Sequence, residues 1–127
     1  MTQAKPGILL LMPDARLRDI YVSRFERDGW EVEEAASLLD AERRAVQLRP
    51  AVLFIHHVLL EDIKGAFKRL RSLPTLQQTK IVVADRHMSR AAVDEVLQAG
   101  AHEVVMTAHM TPRSLVKRMN QITDTDL

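Results

Sequence analysis

Two adjacent histidines, His56 and His57, end the apolar run Ala51-Val52-Leu53-Phe54-Ile55, and Asp85 ends a second run, Ile81-Val82-Val83-Ala84. A further carboxylate, Asp14, follows soon after the first apolar run of the chain. Neutral imidazole and carboxylate are ligands for zinc or another transition ion, and the same groups build pH-sensitive clusters. The spacing nevertheless lacks a paired-histidine helical motif such as HExxH, and the absence of cysteine excludes a thiolate site. The expected arrangement is a hydrogen-bonded pair of His56 and Asp85, with His57 facing the other way, and no metal or other cofactor. No nucleophile–base pair, glycine-rich phosphate loop or pair of catalytic carboxylates is recognisable, so an enzyme is not expected.

The elements that must position these groups follow from hydrophobic period. Five short apolar runs, Gly7-Met12, Trp30-Ala35, Ala51-His56, Lys80-Asp85 and His102-Thr107, read as strands. The first, third and fourth are continuous, as in strands covered on both faces, whereas Trp30-Glu31-Val32-Glu33 alternates like an edge strand. Between them, apolar residues recur at helical steps: Leu17, Ile20, Tyr21 and Phe25; Leu38, Ala41, Ala45 and Leu48; Ile63, Phe67 and Leu70; Val93, Val96 and Leu97; Leu115, Met119 and Ile122. Asp14, Ser37, Ser89 and Thr111-Pro112 stand where helices need N-caps, and Gly29 and Gly100 where two of them need a left-handed residue to stop. Strict alternation of strand and helix implies right-handed crossovers, hence an α/β fold with a parallel sheet between two helical layers. The expectation is one domain over residues 1–122 and a frayed tail over 123–127.

Composition narrows the function. The 127 residues suit one core, and 18 Lys and Arg nearly cancel 17 Asp and Glu, so no overall field draws the chain to nucleic acid or membrane. Apolar stretches are too short to cross a bilayer and residues 1–6 have no signal-peptide core. A cytoplasmic protein is expected.

The segments Ile8-Leu11, Gly29-Trp30-Glu31-Val32-Glu33-Glu34-Ala35, Leu70-Arg71-Ser72-Leu73-Pro74 and Leu97-Gln98-Ala99-Gly100-Ala101 resemble a response-regulator receiver domain of the CheY-like type. That resemblance implies a flavodoxin-like (βα)5 sandwich of three layers with strand order 2-1-3-4-5. It also implies where a phosphorylation site would stand. The acidic pair that holds magnesium in the family falls on Met12 and Pro13, neither able to ligate a hard cation, with Asp14 one place late. The phosphoacceptor position falls on His56, or on His57 if the register is counted back from Gly65. Imidazole cannot form the acyl phosphate. The hydroxyl position falls on Asp85, the lysine on Thr107, the proline after it on Ala108 and the switch aromatic on Val104. The chain therefore resembles a pseudo-receiver that uses no phosphodonor.

The reading that follows is a module acting through protein partners, a second copy among them, on the surface of the fourth helix, fifth strand and fifth helix. The candidate contacts are Asp94, Glu95, Gln98, His102, Met110, Arg113, Lys117 and Arg118, with Val93, Val96 and Leu97 reserved for the core. One alternative is a small-ligand, metal or pH sensor in a pocket of Asp14, His56, Asp85 and Thr107. Another is a nucleic-acid adaptor on the basic first and fifth helices, disfavoured by the scarcity of aromatic stacking residues.

Overall fold

The computed structural model describes residues 5–124. Strands and helices alternate as β1 (Gly7–Leu11), α1 (Ala15–Arg27), β2 (Glu31–Glu34), α2 (Leu38–Leu48), β3 (Val52–His56), α3 (Ile63–Arg71), β4 (Lys80–Asp85), α4 (Arg90–Ala99), β5 (Glu103–Met106) and α5 (Pro112–Asp124). Short 3-10 turns occupy His57–Leu59, Pro74–Leu76 and Thr107–His109. All strand pairs are parallel, in the order β2-β1-β3-β4-β5.

Sequence explains this order. The continuous apolar strands β1, β3 and β4 lie in the middle, where helices cover both faces, and the polar β2 takes one edge. Successive strand residues face opposite layers. Ile8, Leu10, Phe54 and Val82 pack with Tyr21 and Phe25 of α1 and Leu115 and Met119 of α5. Leu9, Leu53, Ile55 and Val83 pack with Ala41 and Ala45 of α2, Phe67 and Leu70 of α3 and Val96 of α4. Trp30 fastens the β2 edge: its indole meets Phe25 edge-on at 5.4 Å, and its Nε1–H donates to Asn120 Oδ1 at 2.9 Å.

The punctuation acts as its chemistry predicts. Asp14 Oδ1 accepts from the N–H groups of Arg16 and Leu17, Ser37 from Asp40, Ser89 from Ala92 and Thr111 Oγ1 from Ser114. Gly29 and Gly100 both have positive φ, at 93° and 126°. The end of α2 has no glycine, and there Arg49 takes the left-handed conformation at φ 48°. Pro50 follows it and disfavours the right-handed helical region for the residue before, which helps stop the helix.

Two expectations about the helices need correction. The fifth helix runs to Asp124, with the Thr123 hydroxyl donating to Met119 O at 2.9 Å, so residues 123 and 124 are helical rather than frayed. Residues 1–4 and 125–127 lie outside the described residues. On α4, Leu97 is 42 % exposed, not in the core. The stripe facing the core there is the buried Val96 with the half-buried Ala92, Val93 and Ala99, whose small members let the helix approach the sheet, and Leu97 is rotated one residue off it.

Candidate functional site

All strands of a parallel sheet end at the same edge, so the residues that close β1, β3, β4 and β5 are brought to one rim. The register places His56 last in β3, opposite Ala84, with Asp85 one step further along β4. After His56 the backbone turns at once into the 3-10 turn, and His56 Nδ1 accepts the N–H of Val58 at 3.2 Å. An accepting Nδ1 carries no proton, so in the neutral ring the proton sits on Nε2. That nitrogen lies 3.6 Å from Asp85 Oδ1.

His57 does not face away. The same turn swings it back, and its Nδ1 lies 3.6 Å from Asp85 Oδ2. One carboxylate is therefore flanked by two imidazoles, each beyond hydrogen-bond range. The short bond to Asp85 comes instead from the backbone, where the N–H of Arg86 donates to Oδ1 at 2.7 Å. This corrects the expected hydrogen-bonded pair of His56 and Asp85.

The other predicted members stand apart. Met12 is 2 % exposed and belongs to the core under α1 and α5. Its carbonyl accepts from Arg18 Nη1 at 2.7 Å, and Arg18 Nε pairs with Glu34 Oε1 at 2.7 Å. A guanidinium thus stands beside the rim at the position where the resemblance puts a cation-binding pair. Pro13 is exposed, and Asp14 caps α1. Asp14 and Thr107 line a groove with Arg86 and Tyr21 that His56, His57 and Asp85 do not line, so the expected four-residue pocket is divided. Among the described residues no group of three or more His, Asp or Glu is arranged to hold a metal ion.

Tyr21 adds a pH dependence. Burial pushes its phenol above the ordinary range. A raised folded value means that stability is fully present below the unfolded pKa and is lost as pH rises through the folded one. Tyr21→Phe is expected to flatten the alkaline limb of the stability curve. The chain has one tyrosine, so phenolate absorbance reads this group alone and should rise at higher pH in the folded protein than in urea.

On the surface of α4, β5 and α5, Asp94, Glu95, Gln98, His102, Arg113 and Lys117 are exposed and Met110 is half-buried against the core. Arg118 is committed within the fold: Nε donates to Glu103 Oε2 at 2.6 Å and Nη2 to Glu103 Oε1. The Glu103 carboxylate holds its guanidinium above the usual arginine range. Sequence reasoning missed Glu103, which sits on a strand and signals its role only once β5 lies beside α5. Helices α1 and α5 do pack on the same side of the sheet, as expected. Their basic residues are partly neutralised, Arg18 by Glu34 and Arg24 by Asp28 at 3.5 Å. On α3, Arg69 pairs with Glu42 at 2.6 Å and Arg71 bonds backbone carbonyls. The Arg18 and Arg24 pairs weaken the joined basic face anticipated on α1 and α5 for nucleic acid, whereas α3 lies in the opposite layer.

Comparison with solved structures agrees with this architecture. A response regulator from Thermotoga maritima superposes with TM-score 0.81 at 17% identity, covering 94% of this chain and 98% of that one. A CheY-like receiver domain protein from Methanospirillum hungatei gives 0.80 at 20% identity, covering 95% of each chain. The receiver domain of a Pseudomonas aeruginosa sensor histidine kinase, with a magnesium ion coordinated in its active-site cleft, gives 0.79 at 17% identity, covering 95% and 99%. No family model and no curated protein matches the sequence. The chain has the CheY-like, flavodoxin-like fold of response-regulator receiver domains, over nearly its whole length.

Proposed function

We propose that this chain is a pseudo-receiver: a bacterial signalling domain that acts without aspartyl phosphorylation, as a docking or dimerisation module. The observation that carries this reading is His56 at the end of β3, where a phosphoacceptor carboxylate would stand in a receiver. An acyl phosphate needs a carboxylate nucleophile there and a divalent cation beside it. The chain offers an imidazole, and at the neighbouring strand end a buried methionine whose carbonyl is taken by Arg18. Asp85, being negative, would repel an incoming phosphoryl group.

The docking surface is that of α4, β5 and α5, where exposed Asp94, Glu95, Arg113 and Lys117 mix both signs of charge around the exposed Leu97. Such a pattern favours specificity of pairing over raw affinity. The partner is a protein, a second copy included, and neither nucleic acid nor a phosphodonor is engaged. The domain works in the cytoplasm and is not an enzyme. No helix among the described residues is long and apolar enough to cross a membrane.

Intact-mass spectrometry after incubation with acetyl phosphate and magnesium, alongside sedimentation velocity, tests the reading. The mass and the association state are expected to be the same with and without the phosphodonor, and paired reversal of Arg113 and Lys117 to glutamate should weaken association. Stoichiometric gain of a phosphoryl group on any aspartate would refute phosphorylation independence. Association unaffected by the double reversal would move the docking surface elsewhere.

A further inference from the structure

We propose that the groove between α1 and the connection from β5 to α5 binds a small organic anion: an apolar body carrying a carboxylate or a phosphate. The groove has a volume of about 510 Å3, within the range of small-molecule sites. Three observations converge on it.

The first is an unused polar group. Tyr21 lines the groove, is 3 % exposed, and its hydroxyl makes no hydrogen bond with any described residue. The ring is covered while the hydroxyl is left without a partner among the described residues at the groove wall, a donor from which a ligand oxygen would accept. The second is charge. Arg16 and Arg86 line the same groove, and neither forms an ion pair with a described residue, unlike Arg18, Arg24 and Arg118. A guanidinium presents a planar fork of donors suited to carboxylate or phosphate oxygens.

The third is the floor. Leu17, Ile20 and Met110 supply apolar surface, and Ile20 remains 48 % exposed on a helix whose other large apolar residues are covered. Asp14 also borders the groove; its Oδ1 accepts from the N–H groups of Arg16 and Leu17, and its single negative charge is set against the two guanidiniums of Arg16 and Arg86. The two loops that carry Arg86 and the far wall are tied together, since Ala108 N–H donates to Arg86 O at 3.2 Å. The site is thereby set before a ligand arrives. Its chemistry is separate from the flanked carboxylate of Asp85, which would repel the same anion.

Amide-resonance NMR titrations of the whole chain with phenylacetate, phenyl phosphate, neutral phenylacetamide and inorganic phosphate test this. Saturable shifts confined to Leu17, Ile20, Tyr21, Arg86 and Met110 are expected with one or both organic anions, and which of the two binds tighter identifies the head group. Arg86→Gln and Arg16→Gln, both at exposed positions, should each weaken binding about tenfold through loss of a charge-assisted hydrogen bond. Tyr21→Phe, which keeps the ring packing, should weaken it about threefold to tenfold. The proposal is overturned by an absence of saturable shifts at millimolar ligand, or by equal binding of the neutral amide. Equal binding of inorganic phosphate, or full affinity in both arginine variants, overturns it as well.

Discussion

Replacing Phe54 by alanine is expected to lower the free energy of unfolding by about 3–5 kcal/mol, the range for truncating a large aromatic in a packed core. Phe54 is 0 % exposed on the central strand, with Leu10 and Val82 as its neighbours in register on either side. Tyr21 meets its ring edge-on with centroids 6.3 Å apart. Strands on both sides hold the backbone, so the surrounding groups cannot collapse into the space, and the cavity cost adds to the lost transfer energy. Urea unfolding followed by the fluorescence of Trp30 measures this, and an unchanged slope with a lower midpoint is the expected pattern. Phe54→Leu should cost markedly less, because it keeps most of the volume. A cost below about 1 kcal/mol for the alanine variant would mean that this face of the sheet is not packed as described.

The second large effect concerns a residue that the sequence presents as part of a basic helix. Arg71→Met is expected to cost about 2–4 kcal/mol, since it removes two charge-assisted hydrogen bonds and leaves two carbonyls without their donor. Arg71 Nη1 donates to Leu76 O at 2.8 Å and to Thr79 O at 2.9 Å, and burial pulls the guanidinium below the ordinary arginine range. Thr79 is itself buried and donates to Pro50 O at 2.7 Å, so one guanidinium organises the approach to β4 and, through it, the entry to β3. Methionine retains the apolar stem, so the loss isolates the polar contacts. Arg71→Lys should recover only part of it, because the shorter side chain must bring a strongly hydrated ammonium to the place where Nη1 alone serves both carbonyls. Faster amide exchange in residues 73–80 would locate the defect, whereas a stability unchanged in Arg71→Met would reassign Arg71 to the solvated surface.

These two residues frame how the scaffold relates to the proposed function. Stability resides in the buried strands and in ties such as Arg71, away from the rim where a receiver would carry out phosphoryl transfer. Met12 belongs to the same buried set: at the end of β1 the chain places an apolar side chain that extends the core.

Much of this was determined by the sequence alone. The order of strands and helices, the central place of β1, β3 and β4, and the caps at Asp14, Ser37, Ser89 and Thr111 depend on period, local sterics and donors a few residues away. Tertiary structure alone decided which side chains meet. His57 turns back to Asp85 because a 3-10 turn follows β3 directly, Arg118 closes on Glu103 from 15 residues away, and Trp30 bonds Asn120 across 90. It also separated Asp14 and Thr107 from the histidines and joined them to Arg16, Tyr21 and Arg86 in one groove. Local rules specify the path of the backbone, whereas partners distant in sequence are chosen by the packing of whole elements, and the chemistry of the rim lives in that second set of contacts.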